Sequence, residues 1–368
     1  MFEAPSCAPP PFCPNSRCEF HLEPKGWNYK RAGFFARARA PLRVQRFQCA
    51  TCRRTFSSQT FSTTYWLRRP DLLEPVFRLE VACAGHRQIA RALGVSHATI
   101  QHLAERLGRH CLLFHERFHP RARALAVTED NVLDGLGSYA GGQYWPFELN
   151  NLIGAHSYYS HDFTLTERRR SGRTTPDQRR RRAQYEKQLG RPAPSAHRRD
   201  LLDLLDTSLP RGVSLTLRSD EHHTYVWVLK RLPEHQIRHE TTHSKKPRTP
   251  NNPLFPINAH HLLIRHSAAN LKRETVAFSK RNQAAIYRQA IFQVWRNCVK
   301  SASERHPGKT PAQRLGVLKR RLEFGDILRR RIFFSRLKLS ARLARYYGGE
   351  VRSRFCKGER KHSLRYAY

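Results

Sequence analysis

The sequence predicts an α/β protein, a mixed sheet with flanking helices preceded by a cysteine-rich segment and an all-helical segment. Three observations carry that expectation. Hydrophobic residues make up 39% of the 368, enough to bury a substantial core in two or three domains. Four of the nine cysteines stand in two close pairs near the N-terminus. The apolar period then changes along the chain: helical spacing over 74–118 gives way near Leu125 to strand-like runs, and after these to helices alternating with strands.

Charge bounds the partner. Lys plus Arg number 67 against 29 Asp plus Glu, a formal net charge of +38. Self-repulsion of that size opposes compaction unless an anionic partner offsets it. The excess runs along most of the chain, which favours nucleic acid over a merely solubilising surface. No apolar run approaches the roughly 18 residues of a membrane-spanning helix. The start, Met1-Phe2-Glu3 followed by Pro and Cys, lacks the basic and apolar regions of a secretory leader. A cytoplasmic protein with reduced thiols, one metal site and no membrane partner is expected.

The N-terminal segment, 1–60, opens on a loose Pro-rich stretch, MFEAPSCAPPPF. Cys13 and Cys18 follow in CPNSRC, and Cys49 and Cys52 in CATC. Four thiolates in two close pairs meet the tetrahedral demand of structural zinc. Cys7 and His21 lie near enough in sequence to substitute as ligands. With every ligand position filled by protein, such a metal holds the fold and does no chemistry.

Residues 70–118 form the helical segment. Within it, 86–107 read HRQIARALGVSHATIQHLAERL. Ala90 is small enough for two helices to approach, Gly94 can take the turn with positive φ, and Ser96 is an N-cap for the second helix. Ile89, Leu93, Val95, Ile100 and Leu103 pack inward. His97, Thr99, Gln101, His102 and Arg106 are left facing outward, suited to base edges and phosphates, as in a DNA-reading helix-turn-helix.

Residues 124–306 form the α/β core. Strands are expected at 124–127, 132–133, 147–149 and 162–166. A basic insertion, 168–192, comes next, with Arg179, Arg180, Arg181 and Arg182 placed to meet phosphates. Helices near 200–207 and 224–232 alternate with strands at 213–218 and 236–241, and 259–306 read mainly as helix. Tyr144 and Trp145 read as core. A basic helical C-terminal tail, 307–368, completes the chain. Asp134, in NVLDGLGSYAGGQYW, and Asp220, in VSLTLRSDEHHTY, each stand at a strand end. Alone, such an Asp is more often a turn residue. Together, two carboxylates on neighbouring strands can hold a pair of Mg²⁺ ions about 4 Å apart for phosphoryl transfer.

The order of parts resembles the DDE transposases of short bacterial insertion sequences: a Cys-pair ribbon, a helix-turn-helix, DG-x-x-S-Y after a strand, SDEH-x-x-Y after another, and KRETVAFSKRNQ closing a helix. The resemblance spans roughly residues 13–300. It implies an RNase H-like core, strand cleavage and joining with Mg²⁺ or Mn²⁺, and a homo-oligomer bound to double-stranded DNA at terminal inverted repeats. It also implies a nucleoid-associated protein in a bacterial cytoplasm. Asp134 and Asp220 fall at its first two acid positions. At the third, this chain departs from the pattern. The nearest register puts Asn258 there, in LFPINAHHLLIRH, with His261 one helical turn on, and Glu274 is the closest carboxylate. Asn258 also reads as a helix N-cap after Pro256. The implied activity is therefore transposition or, with the third acid lost, DNA binding without cleavage.

Overall fold

The computed structural model describes residues 9–38, 41–305, 307–356 and 358. Its first unit is a three-stranded antiparallel sheet, β1 (Tyr29–Ala36), β2 (Arg43–Cys49) and β3 (Thr55–Ser57), in the order β1-β2-β3. The Pro-rich start is not loose where it is described. Phe12 packs edge-on against Phe61 and Phe333, while residues 1–8, including Cys7, lie outside the described residues.

Helices α1 (Leu73–Glu80), α2 (His86–Ala92), α3 (His97–Glu116) and α4 (His119–Leu125) follow. Gly94 takes φ +62° in the turn between α2 and α3, a conformation that disfavours any Cβ. Ser96 caps α3, its Oγ accepting from the Thr99 N–H at 3.2 Å.

The second sheet contains β4 (Asn131–Tyr139), β5 (Pro146–Gly154), β6 (Ser160–Glu167), β7 (Ser214–Asp220) and β8 (Gln236–Thr242), in the order β6-β5-β4-β7-β8. β4, β5 and β6 are antiparallel neighbours, whereas β7 and β8 run parallel to β4. Between β6 and β7 lie α5 (Pro176–Leu189) and α6 (Ala196–Ser208), and α7 (His223–Leu229) joins β7 to β8. Beyond β8 come α8 (Phe255–Ser267), α9 (Asn282–Cys298), α10 (Pro311–Arg314), α11 (Phe324–Leu328) and α12 (Ala341–Gly348).

Both faces of the sheet are covered, so its central strands are apolar on both sides. Leu133 of β4, Leu152 of β5 and Leu217 of β7 pack with Leu201, Leu204 and Leu205 of α6 and Val228 of α7. On the other face, Leu136 and Leu149 join Ile264 of α8 and Ile286, Ala290 and Val294 of α9. That apolar cluster runs on into α1 and α3, so the helical segment shares a core with the sheet. α3 and α9 cross closely at Gly108, where a Cβ would stand 2.3 Å from Tyr287 Cβ. Burying each large side chain of this seam contributes roughly 1.5–3 kcal/mol.

Four further expectations are corrected. Residues 124–127, read as a strand, instead end α4 and enter a 3-10 turn over Ala126–Thr128, because strand pairing begins only at Asn131. Over its described residues, 307–356 and 358, the C-terminal segment is not a helical tail. Leu315, Phe324, Ile327, Leu343, Tyr346 and Val351 are buried in the main core, and the helices there are short. The run 259–306 is broken: α8 ends at Ser267, and the stretch Lys272–Lys280 lies in the non-helical segment before α9. Asp134 does not follow its strand but is the fourth residue of β4.

Candidate functional site

Cys13 and Cys18 bracket a short loop, and Cys49 and Cys52 flank the turn from β2 to β3. Their four sulfurs lie within 4.8 Å of one another and can hold a metal ion such as zinc. Cys13 Sγ is 3.6 Å from Cys52 Sγ, and Cys18 Sγ is 4.0 Å from Cys49 Sγ. Zn–S bonds of about 2.3 Å in a tetrahedron put sulfurs about 3.8 Å apart, so the donor set fits zinc. Burial raises the Cys13 and Cys18 thiols. At Cys49 the burial penalty is overridden by donors, the Trp27 indole at 3.3 Å and the N–H groups of Cys52 and Thr51, and the thiol comes down to about 7. His21 is not available as a ligand. Its Nδ1 bonds Cys13 O and its Nε2 bonds Ser335 Oγ, each at 2.8 Å.

The second constellation sits where β4 and β7 run side by side. Asn131 and Val132 pair with Leu217 and Arg218. Two residues further along both strands are Asp134 and Asp220, which the side-chain alternation places on one face. Burial pushes the Asp134 carboxyl up to about 7, with the charges of Asp220 and Glu148 adding and the Gly135 N–H and Arg248 opposing. Asp134 Oδ1 accepts from Gly135 N at 2.7 Å, and Asp220 Oδ1 from His222 N at 3.0 Å.

Glu148 is a carboxylate the sequence reading missed. It lies in β5 opposite Gly137, bonded to Arg168 Nε at 3.1 Å. Its side chain fills the space beside Gly135, where a Cβ would meet Glu148 Oε1 at 1.9 Å. Burial raises its carboxyl too, Arg168 opposing and Asp220 adding. The signal was a lone acid inside the buried run PFELNNLIG. Among the described residues, only the four cysteines form a group of three or more potential ligands close enough to share one ion. Asp134, Asp220 and Glu148 feel one another at longer range.

On α8, His261 faces Asp134, Nδ1 to Oδ2 at 3.6 Å. Asn151 Nδ2 reaches His261 Nε2 at 3.4 Å, and Gln289 donates to Asn151 Oδ1 at 2.9 Å. With Nε2 taken as the acceptor, the ring carries its proton toward Asp134. Burial, then Arg265 and Arg248, lowers His261 to about 3, so it is neutral. Asn258 is half-buried and does not cap the helix, because its own N–H already bonds Leu254 O at 3.0 Å inside α8. Glu274 is exposed, with φ +50°, in the segment after α8. It does not figure among the charges acting on Asp134.

On α3, His97 and His102 are exposed, while Thr99 and Gln101 are half-buried. Gln101 bonds Glu105 at 3.0 Å. Arg106 departs from expectation: it turns inward, Nη1 donating to Thr63 O at 2.9 Å, and burial with the nearby Arg109 and Arg331 lowers it to about 10. The exposed cations of this surface are instead Arg87 and Arg91, which line an open cleft with Gly94, Ser96 and His97.

The insertion carries α5, a helix that buries none of its residues. Arg179, Arg180 and Arg181 are exposed, Arg180 paired with Asp177. Arg182 folds back onto Arg170 O at 2.8 Å. Tyr144 and Trp145 are half-buried against Tyr185 of α5, which anchors the insertion. No helix among the described residues is long and apolar enough to cross a membrane. No protein-family model matches the chain, and comparison with curated proteins finds no match.

Proposed function

We propose that this chain is a DNA-binding protein of the insertion-sequence transposase kind, with an RNase H-like core, a structural zinc ribbon and a helix-turn-helix formed by α2 and α3. The observation that carries the reading is that Asp134 and Asp220 each stand two residues past the last paired position of the adjacent parallel strands β4 and β7. The charge of +38, the exposed Arg179–Arg181 and the α2–α3 turn at Gly94 support it. In this reading Asp134 and Asp220 hold Mg²⁺ or Mn²⁺, which supplies charge stabilisation at the phosphate undergoing transfer. The partner is double-stranded DNA, at terminal inverted repeats, bound by a homo-oligomer at the bacterial nucleoid.

A second reading, DNA binding without cleavage, is favoured by one feature. The helix position facing Asp134 holds His261, with Asn258 one turn before it, and neither is an acid. Mg²⁺ prefers oxygen ligands and often needs only one or two carboxylates, so the loss falls on rate and not on DNA affinity. The test is cleavage of an end-labelled duplex carrying the element's terminal sequence, with Mg²⁺ or Mn²⁺. We expect the wild type to bind tightly and cut slowly, Asn258→Glu to cut faster by at least tenfold, and Asp134→Asn to abolish cutting in both backgrounds. Cleavage indifferent to Asp134 and Asp220 overturns the transposase reading. Cleavage lost in Glu274→Gln but kept in Asn258→Ala moves the third position to Glu274.

A further inference from the structure

The β1–β2 hairpin of the ribbon carries more aromatic surface than the ribbon needs. Its own core is complete without the tip: Tyr29 meets Phe47 edge-on at 5.4 Å, and Phe47 and Trp27 stack on Phe56 at 5.5 and 5.9 Å. Beyond that core, Phe34 is 49% exposed, Phe35 39% and Leu42 65%. Exposed aromatics in adjacent positions cost solvation and mark contact surfaces.

Two features of the backbone present them. A β-bulge falls between Arg31 and Phe34, with Gly33 at φ +73° and its carbonyl held by Gln45 Nε2 at 2.7 Å. Bulges bend a strand and re-aim its side chains. β1 is also the edge of its sheet, with no strand beyond it among the described residues.

The chemistry around the two rings is cationic throughout. Between Glu23 and Asp71 the sequence has eleven Lys or Arg and no acid. Lys30, Arg31, Arg43 and Arg46 are exposed on the hairpin, and the Arg43 guanidinium lies 4.0 Å over the Phe34 ring. A hairpin that pairs aromatic faces with guanidinium groups, in a stretch of sequence without an acid, repels a basic partner, including a second copy of this chain. It complements an anion whose bases are free to stack. A duplex hides those faces; a single strand offers them.

We propose that the hairpin tip is a stacking platform for unpaired bases of single-stranded DNA that wraps the free edge of β1, Phe34 taking a base beside Arg43 on one face of the strand and Phe35 taking the next on the other, while Arg31, Arg43 and Arg46 track the phosphates. This rests on the DNA-binding reading above and adds a second, structurally distinct contact to it. In a protein that opens or processes DNA ends, such a contact holds the frayed strand.

The test uses the full zinc-loaded chain, with fluorescence anisotropy on a labelled oligothymidylate and on a duplex of equal length across a salt series. Phe34→Ala with Phe35→Ala should weaken single-strand binding about tenfold or more, because each stacked base is a separate contribution. Duplex affinity and both salt slopes should stay unchanged, since no charge is removed. Phe34→Trp with Phe35→Trp should restore single-strand binding, and zinc content reports that the ribbon is intact in every variant. Equal losses on single strand and duplex overturn the stacking role, as does unchanged binding to both. Self-association lost in the alanine variant, with single-strand affinity unaltered, assigns the tip to a second copy instead. A wild type that binds neither DNA overturns the DNA-binding reading itself.

Discussion

Glu148 is the residue whose surroundings say most about the carboxylate cluster. It lies within a buried strand, paired to Arg168, and Gly135 leaves the room its carboxylate occupies. A buried acid raised above its ordinary range opposes folding once it ionises. Its contribution is favourable below the unfolded glutamate pKa and is lost as pH rises through the folded value. Glu148→Gln should therefore melt like the wild type near pH 4 and higher at pH 8, when neither Mg²⁺ nor a chelator is added. The rise should be a few degrees, on the order of 2–4 °C for each ~1 kcal/mol. Arg168 is exposed enough to recover its hydration, so losing that pair offsets little. If Asp134 and Asp220 hold Mg²⁺ as proposed, adding it should reverse the ranking at pH 8, because the ion would profit from a third negative charge nearby. Thermal melts with and without Mg²⁺ read both effects, and equal Mg²⁺ shifts in the two proteins remove Glu148 from the cluster. Sequence reasoning reached Asp134 and Asp220 through strand ends but not Glu148. Its charge reaches Asp134 across the β4–β5 ladder, where Glu148 pairs with Gly137 and Asp134 with Asn151, a relation that no local spacing encodes.

At the scale of elements, the ribbon makes the sharpest claim. Its sheet is small, and the sulfurs of Cys13, Cys18, Cys49 and Cys52 sit at its centre with Trp27 and Phe56. Structural zinc in such domains supplies folding free energy outright. Cys49→Ser with Cys52→Ser should take bound zinc from about one per chain to none, by elemental analysis, and open residues 9–61 to limited proteolysis. Cys83→Ser, away from the cluster, should change neither. Zinc retained by the double variant refutes the four-cysteine site. The ribbon and the α2–α3 turn were legible because their determinants are local: paired cysteines, a glycine at φ +62°, a serine cap. Arg106 was misread because its partner, Thr63 O, belongs to a segment whose path no helical period reveals. His21 reads as a ligand by spacing for the same reason. The Ser335 hydroxyl that occupies it lies 314 residues away in sequence.

At the scale of the whole molecule, the C-terminal segment decides the architecture. Read as sequence it is a basic tail; folded, it closes the core. His21 bonds Ser335, Phe12 packs on Phe333, and Thr63 Oγ1 donates to Leu328 O at 2.7 Å, so this segment docks the ribbon. Farther on, α12 lies against the sheet through Arg342, a buried cation in a chain with a large surplus of exposed ones. Its guanidinium donates to Asp162 Oδ2 at 2.7 Å, Asp203 Oδ2 at 2.5 Å and Phe163 O at 2.6 Å. Burial alone would raise the Asp162 carboxyl. Arg342 overrides it, His119 and His115 adding, and holds it at about 2. A depressed carboxylate contributes stability above its unfolded pKa and loses it as pH falls through the folded value, so this clasp stays closed until the pH approaches 2. Removing one partner leaves the other charged and buried, which costs about 3–5 kcal/mol. Arg342→Met should thus lower the denaturation midpoint markedly at neutral pH. Arg342→Met with Asp162→Leu should recover most of the loss, because an apolar pair of similar volume often replaces a buried ion pair without penalty. Urea melts at pH 7 of the two variants and the wild type measure this. An Arg342→Met midpoint equal to the wild type's would mean that α12 is dispensable and that the segment is the tail its composition implies. A large loss that the double variant repairs would mean that α12 is a working part of the fold.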